Sequence, residues 1–208
     1  MTTITQSAKD IMYARKSVRK YKENVTIPQE VLQQLIQDAI SAPSSSNLQP
    51  WRFLVIQDQQ VKQELLPIAN NQQQVAKCSA LIAILGDLEM YENTEEVYQA
   101  NVEKGFMPQE VADNMIVNSR KLYSSLPKDV LKSIVSFDAG LVSMQLMLLA
   151  KEMGYDTVPM GGFNKAAFAE YFNLPANEMP LLLIALGEAE EPARGTSRLP
   201  IEKVTRFI

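Results

Sequence analysis

Residues 43–57 read PSSSNLQPWRFLVIQ, and they carry the chain out of a helix, through a polar loop and into a strand. Upstream, Val31, Leu32, Leu35, Ile36, Ala39 and Ile40 recur at helical spacing and give a wide apolar face. Thr26 is placed to cap that helix, Pro28 falls near its first turn, and Glu30 suits the positive end of its dipole. Pro43 stops it, because the residue before a proline is pushed out of the helical region. Downstream, residues 52–57 (RFLVIQ) predict a strand, and residues 80–85 (ALIAIL) predict a fully buried one.

Outward from this stretch the elements stay mixed. A helix is expected over 7–16, with Ile11, Met12 and Ala14 as its apolar contribution, and another over 61–69. Residues 89–125 are charged and dotted with aromatics, mostly helical, with Pro108 restarting a helix; a variable lid or substrate wall is expected there. Residues 129–153 form a long helix, apolar on nearly every side from 139 to 150, which predicts a central helix buried on all faces. Gly154 ends it, and residues 157–160 form a short strand running into Gly161-Gly162. A short helix over 165–172 is capped by Asn164, and residues 180–186 (PLLLIAL) make another buried strand. The tail, about 188–208, is polar and proline-marked until Phe207-Ile208. Strands and helices without regular alternation indicate an α+β class, and the length fits one domain over 1–208.

Composition removes several function classes. A net charge of −4 gives no reason to expect a nucleic-acid partner, so any bound phosphate needs a local cluster of cations. The single cysteine, Cys78, rules out a disulfide framework within the chain and fits a reducing cytoplasm. Residues 1–20 are polar and lack the apolar core of a signal peptide, and the longest apolar run, 140–150, is too short to span a bilayer. A soluble cytoplasmic protein without a membrane partner is the expectation. With no histidine, Ser–His and Cys–His nucleophiles and histidine-ligated metals are excluded. No GxGxxG follows a strand and no Walker loop is present, so nothing points to a Rossmann site. Chemistry in such a chain is expected to come from a cofactor.

Four segments could hold one. In Arg15-Lys16-Ser17-Val18-Arg19, two arginines four apart can converge on an anion with a hydroxyl between them, although a basic helix end has the same look. The loop from Pro43 to Trp51 offers hydroxyls, amides and a flat indole wall for a heteroaromatic ring, or is an ordinary serine-rich turn. Pro159-Met160-Gly161-Gly162 lets backbone N–H groups approach a planar ligand, or is a simple turn. Arg198, in Ser197-Arg198-Leu199-Pro200, means little alone.

Together and in this order, the four resemble the nitroreductase family, with its R-[RK]-S-x-R start, P-S-x-x-N-x-Q-P-W loop, P-x-x-G strand end and late R-L-P. The likeness runs from about Ile11 to Pro200, matches only loosely over 89–132, and is most specific at PSSSNLQPWRF. It implies a central, mostly antiparallel sheet surrounded by helices, and a homodimer that exchanges C-terminal arms of about 188–208. It implies bound FMN at the subunit interface, with NADH or NADPH as transient reductant. The resemblance assigns the FMN phosphate and ribityl chain to Arg15, Lys16, Ser17, Arg19 and Arg198, and the flavin contacts from the other subunit to Pro43, Ser44, Ser45 and Asn47. Asn71 or Gln72 would meet the flavin edge, and Pro159, Met160, Gly161 and Gly162 would lie near N5. Gly161 stands where many relatives have an acidic residue, and Thr196 where they have a lysine or arginine; Arg194 is a candidate to compensate. Tyr91, Tyr98, Phe106 and Tyr123 could wall a pocket or simply pack. The implied activity is ping-pong hydride transfer through flavin N5 to nitroaromatic, quinone or related acceptors, with no metal and no catalytic side chain. A reductive dehalogenase, an azoline oxidase and a non-catalytic FMN-binding module are the alternatives.

Overall fold

The computed structural model describes residues 7–208. The first six residues of the polar N-terminal stretch lie outside the described residues. Its architecture follows from two strands too apolar to meet water on either face. β2 (Ala80–Asp87) is buried along its whole length, and β4 (Glu178–Gly187) is buried over its second half. They pair at the centre of a four-stranded antiparallel sheet, flanked by β1 (Trp51–Ile56) and β3 (Asp156–Met160), in the order β1-β2-β4-β3. Alternation sends Ile82, Ile84, Ile184 and Leu186 to one face, and Leu81, Ala83, Leu183 and Ala185 to the other. Each face therefore needs its own helical layer, as the α+β reading requires.

The first face is covered by α2 (Gln29–Ala39) and the long α7 (Lys128–Glu152), which bring Leu32, Leu35, Val142, Leu146 and Ala150 onto the sheet. The second face is covered by α3 (Gln59–Glu64), α4 (Gln73–Lys77) and α8 (Lys165–Tyr171), together with Val18 and Tyr21. A third cluster joins α5 (Thr94–Glu103) and α6 (Gln109–Ser124) to α7 through Met90, Tyr98, Ala112, Tyr123, Leu131 and Val135. Residues 89–125 are thus mostly helical and share a small core with α7, Leu48 and Leu88. At the ends lie α1 (Ala8–Ala14), capped reciprocally by Ser7 and Asp10, and α9 (Ile201–Val204).

Four expectations change. Thr26 does not cap α2: the helix starts after Pro28 without a side-chain cap. The helix expected over 61–69 is instead capped by Asp58 and gone by Leu65, because Pro67 disfavours helical backbone before it. The chain then turns through Asn70 and Asn71, both with positive φ, into the separate α4. Finally, α7 is not buried all round within one chain. The sheet covers one side, and Phe137, Gly140 and Met144 form an open row at helical spacing on another, with Phe137 68% exposed. Counted as a whole, α7 is also longer than the 140–150 run suggested. By length and composition it could cross a membrane, although its buried side packs here as a core helix does.

Candidate functional site

The basic segment puts no cation in the last turn of α1. Arg15 closes α1 in extended backbone, and the chain then runs alongside β3, where Ser17 bridges Thr157 in parallel and the Val18 N–H donates to the Thr157 carbonyl at 3.1 Å. Val18 and Tyr21 are the apolar anchors that enter the core, so Arg15, Lys16 and Ser17 stay half-buried and Arg19 is exposed. The Arg15 Nε is buried and makes no hydrogen bond among the described residues, an unusual condition for a guanidinium. Ser17, Arg19 and Lys20 line one cleft with Pro192, Ala193 and Arg194 of the tail. That tail is held close by Glu190 N–H on the Lys20 carbonyl (3.0 Å) and by the Lys20–Glu191 ion pair (3.0 Å). Arg194 therefore shares the cleft. Arg198 does not: its Nη1 donates to the Thr196 hydroxyl (2.9 Å) and the Ser197 carbonyl (2.8 Å), within its own exposed segment.

From the Ser17 bridge, β3 leads through Pro159 and Met160 to Gly161-Gly162. Met160 turns its side chain into the core. Gly161 is exposed, with no atom within 4 Å of where a Cβ would sit, so its backbone fronts open space. The Gly162 carbonyl accepts from Gln72 Nε2 and from Asn70 Nδ2, each at 2.9 Å, and Gln74 Nε2 reaches the Met160 sulfur at 3.2 Å. Gln72 is thus brought to the glycine segment. Asn70 joins it unforeseen; its only sequence signal was an Asn-Asn pair, the residue type most tolerant of positive φ. Asn71 is exposed and contributes its backbone N–H to the Leu66 carbonyl.

The serine loop is the second half of the candidate site. Residues Ser45–Asn47 form one 3-10 turn, and Ser46, Asn47 and Gln49 all take positive φ (50°, 57° and 49°), which non-glycine residues adopt only when held. The restraints are visible. Asp138 of α7 accepts from the Ser45 N–H (3.0 Å) and the Ser45 hydroxyl (3.1 Å). The Tyr98 hydroxyl of α5 donates to the Ser46 carbonyl (2.9 Å), and the Tyr123 hydroxyl of α6 meets Ser46 Oγ at 2.8 Å. Ser44 Oγ accepts from the Gln49 N–H, Asn93 Nδ2 donates to the Leu48 carbonyl, and Arg52 holds the Gln49 carbonyl and Asp87. With Ser44 and Ser45 turned inward, Pro43, Ser46 and Asn47 face out, and the Asn47 amide makes no hydrogen bond among the described residues. Trp51 is buried in the core beneath α2 and borders a groove with Ile36, Phe53 and Val97. Of the four aromatics over 89–125, Tyr98 and Tyr123 are buried supports, Tyr91 is half-buried and Phe106 is exposed.

Burial pushes the Asp138 carboxyl above the ordinary carboxylate range, and the two Ser45 hydrogen bonds work against that. Burial likewise raises the Cys78 thiol to about 11, which leaves it protonated at neutral pH and no nucleophile. Among the described residues no cluster of carboxylates or cysteine could hold a metal. The arrangement offers cations beside a half-buried serine, exposed glycine backbone next to them, and a rigid polar loop elsewhere on the chain. It suits a phosphate-bearing planar cofactor better than side-chain catalysis.

Comparison with known proteins agrees. The model of the nitroreductase family matches residues 12–188. YdgI of Bacillus subtilis, provisionally named an NAD(P)H nitroreductase, is 41% identical over 205 residues, covering 98% of each chain. A provisionally named nitroreductase from Exiguobacterium sibiricum, solved in complex with FMN, superimposes with a TM-score of 0.94 at 40% identity, over 100% of both chains. A CLA biosynthesis enone reductase from Lactiplantibacillus plantarum is 31% identical over 202 residues, covering 96% of this chain and 93% of that one. With the ordered motifs, the four-stranded sheet and these relatives in agreement, the chain belongs to the nitroreductase family.

Proposed function

We propose that the chain is an FMN-dependent NAD(P)H oxidoreductase acting as a cytoplasmic homodimer on small oxidised acceptors. The observation that carries this reading is the buried Arg15 Nε, unpartnered among the described residues, on the segment that Ser17 bridges to β3, the strand that leads to Gly161-Gly162. Arg15, Lys16, Ser17 and Arg19 would hold the phosphate and ribityl chain, and Arg194 supplies a further cation in the same cleft. Charge-assisted bonds of this kind overcome the repulsion expected from a net charge of −4. Pro159, Met160, Gly161 and Gly162 would present backbone to the ring, and Gln72, with Asn71 beside it, would set the position of that backbone through the Gly162 carbonyl. Pro43, Ser44, Ser45 and Asn47 of a second copy would close the site, together with Arg198.

FMN, when bound, supplies two-electron transfer by a ping-pong route, from NAD(P)H to a nitroaromatic, a quinone or a related acceptor. The protein's share is placement. Gly161 leaves the approach free of a side chain, the fixed loop limits how a ligand can tilt, and with no histidine no imidazole takes part in proton transfer. A second copy also accounts for apolar surface left uncovered. Phe137 and Met144 on α7, and Leu199, Ile201, Val204 and Phe207 on the tail, are all exposed in one chain.

The test is direct. Protein purified with added FMN should be yellow, and its visible flavin band should bleach on anaerobic mixing with NADH or NADPH and return on adding acceptor. The acceptor panel should hold a nitroarene, a quinone and an α,β-unsaturated ketone, the last because one relative is named an enone reductase. A preparation that stays colourless with FMN present would overturn the proposal. Yellow protein that neither nicotinamide reduces would be a flavin-binding module instead.

A further inference from the structure

The loop at 44–49 holds three non-glycine residues in left-handed backbone, a shape the free segment would not keep by itself. What keeps it is a clamp from two directions. From α7, the Asp138 carboxylate takes both hydrogens that Ser45 can offer, the backbone N–H and the hydroxyl, at 3.0 and 3.1 Å. From the 89–125 segment, Tyr98 donates to the Ser46 carbonyl while its own hydroxyl lies 3.2 Å from Ser119 Oγ, and Tyr123 meets the Ser46 hydroxyl. Asp138 and Tyr98 are each 1% exposed. A buried carboxylate is costly to keep unless its partners are fixed, so this pairing favours the observed loop over any conformation that withdraws Ser45. The outward face of the clamped turn is Ser46 and Asn47, whose amide is uncommitted.

We propose that Asp138 is a positioning residue for the flavin: with Tyr98 and Tyr123 it presets the 44–49 loop so that Asn47 is aimed before the cofactor arrives. The inference rests on the functional reading above. It adds that the 89–125 segment takes part in holding the cofactor, through two tyrosine hydroxyls. A preset loop loses little conformational freedom on binding, and removing the clamp moves that cost into the binding step.

The experiment measures release of FMN from the purified holoprotein after dilution, by recovery of flavin fluorescence, together with visible circular dichroism of the bound flavin and the melting temperature. Asp138→Ala should release FMN roughly tenfold faster and alter the flavin dichroism, and Tyr98→Phe should release it about threefold faster. Asp138→Asn keeps an acceptor for the Ser45 N–H and can donate to its hydroxyl, so it should fall within about threefold of the parent. If Asp138→Ala does not fold, Tyr98→Phe and Asp138→Asn carry the comparison. A parent that holds FMN, with variants whose release rate and dichroism are unchanged, would overturn the inference even if their melting temperatures drop. A parent that never holds FMN would instead overturn the functional reading.

Discussion

Arg19 sends one guanidinium nitrogen to the Ser17 carbonyl at 3.4 Å, a weak contact that leaves most of its donor fork free. Replacing it with alanine should therefore cost little stability but weaken FMN binding by about 1–2 kcal/mol, or roughly tenfold in dissociation constant. Fluorescence titration would read this, and an unchanged constant would move the phosphate away from this cleft. Cys78 leads to a second expectation. Buried, and with its thiol raised to about 11, it should react slowly with a thiol reagent at pH 8 in the native protein and quickly in denaturant. Rapid native labelling would show that the α4 end opens readily. At this scale the sequence was informative where chemistry is local. Arg15, Ser17 and Arg19 were singled out by the resemblance, spacing alone leaving a basic helix end open, and the Ser17–Thr157 bridge sets their segment beside β3, which runs into the glycine pair. Arg194 entered only as a possible substitute for the missing cation at Thr196, and the structure puts it in the cleft while Arg198 stays with its own neighbours. Asp138, just ahead of the apolar run at 140–150, has nothing in the sequence around it to mark a role. Its partner lies 93 residues away, and no local pattern encodes such a contact.

The strands and longer helices were legible because their apolar periodicity survives in one dimension, and β2 and β4 hold the predicted segments with a residue or two added at the ends. Shorter elements were not. The helix expected over 61–69 breaks early at Pro67, and α4, five residues long, is too brief to show a period. Packing between elements has its own clearest test at Gly86, on β2 opposite Trp51 of β1. A Cβ there would overlap Val135 Cγ1 of α7 and come within 2.9 Å of Leu181 Cδ1. Val135 is fully buried and β-branched, so it cannot swing clear. Gly86→Ala should lower stability by about 1–3 kcal/mol, visible as an earlier urea midpoint. An unshifted midpoint would mean that α7 can slide outward. Because α7 also carries Asp138, the same variant should loosen FMN if that slide reaches the serine loop.

For the whole molecule, the open row on α7 and the exposed tail are the surfaces that one chain leaves unfinished. If the chain is the proposed dimer, removing residues 199–208 should turn it into a monomer in sedimentation and abolish flavin retention; a truncated protein that stays dimeric and yellow would show that the tail is dispensable. The α+β class was readable from the irregular order of elements. The uncovered row was not, because apolarity on every side of a helix does not say whether its own chain or another copy covers it. One consequence lies in how the candidate site is divided. Arg15–Arg19 is fastened to β3, whereas the 44–49 loop is fastened to α7 and the 89–125 segment, with no hydrogen bond between the two groups among the described residues. If each cofactor straddles two copies, the halves of a site are inherited from different chains. At an FMN concentration too low to load either variant alone, Arg19→Ala and Asn47→Ala should then rescue each other when co-expressed. Every mixed dimer would pair one doubly damaged site with one wild-type site, and random assortment would return about a quarter of the sites intact. A division of labour within one chain would return none.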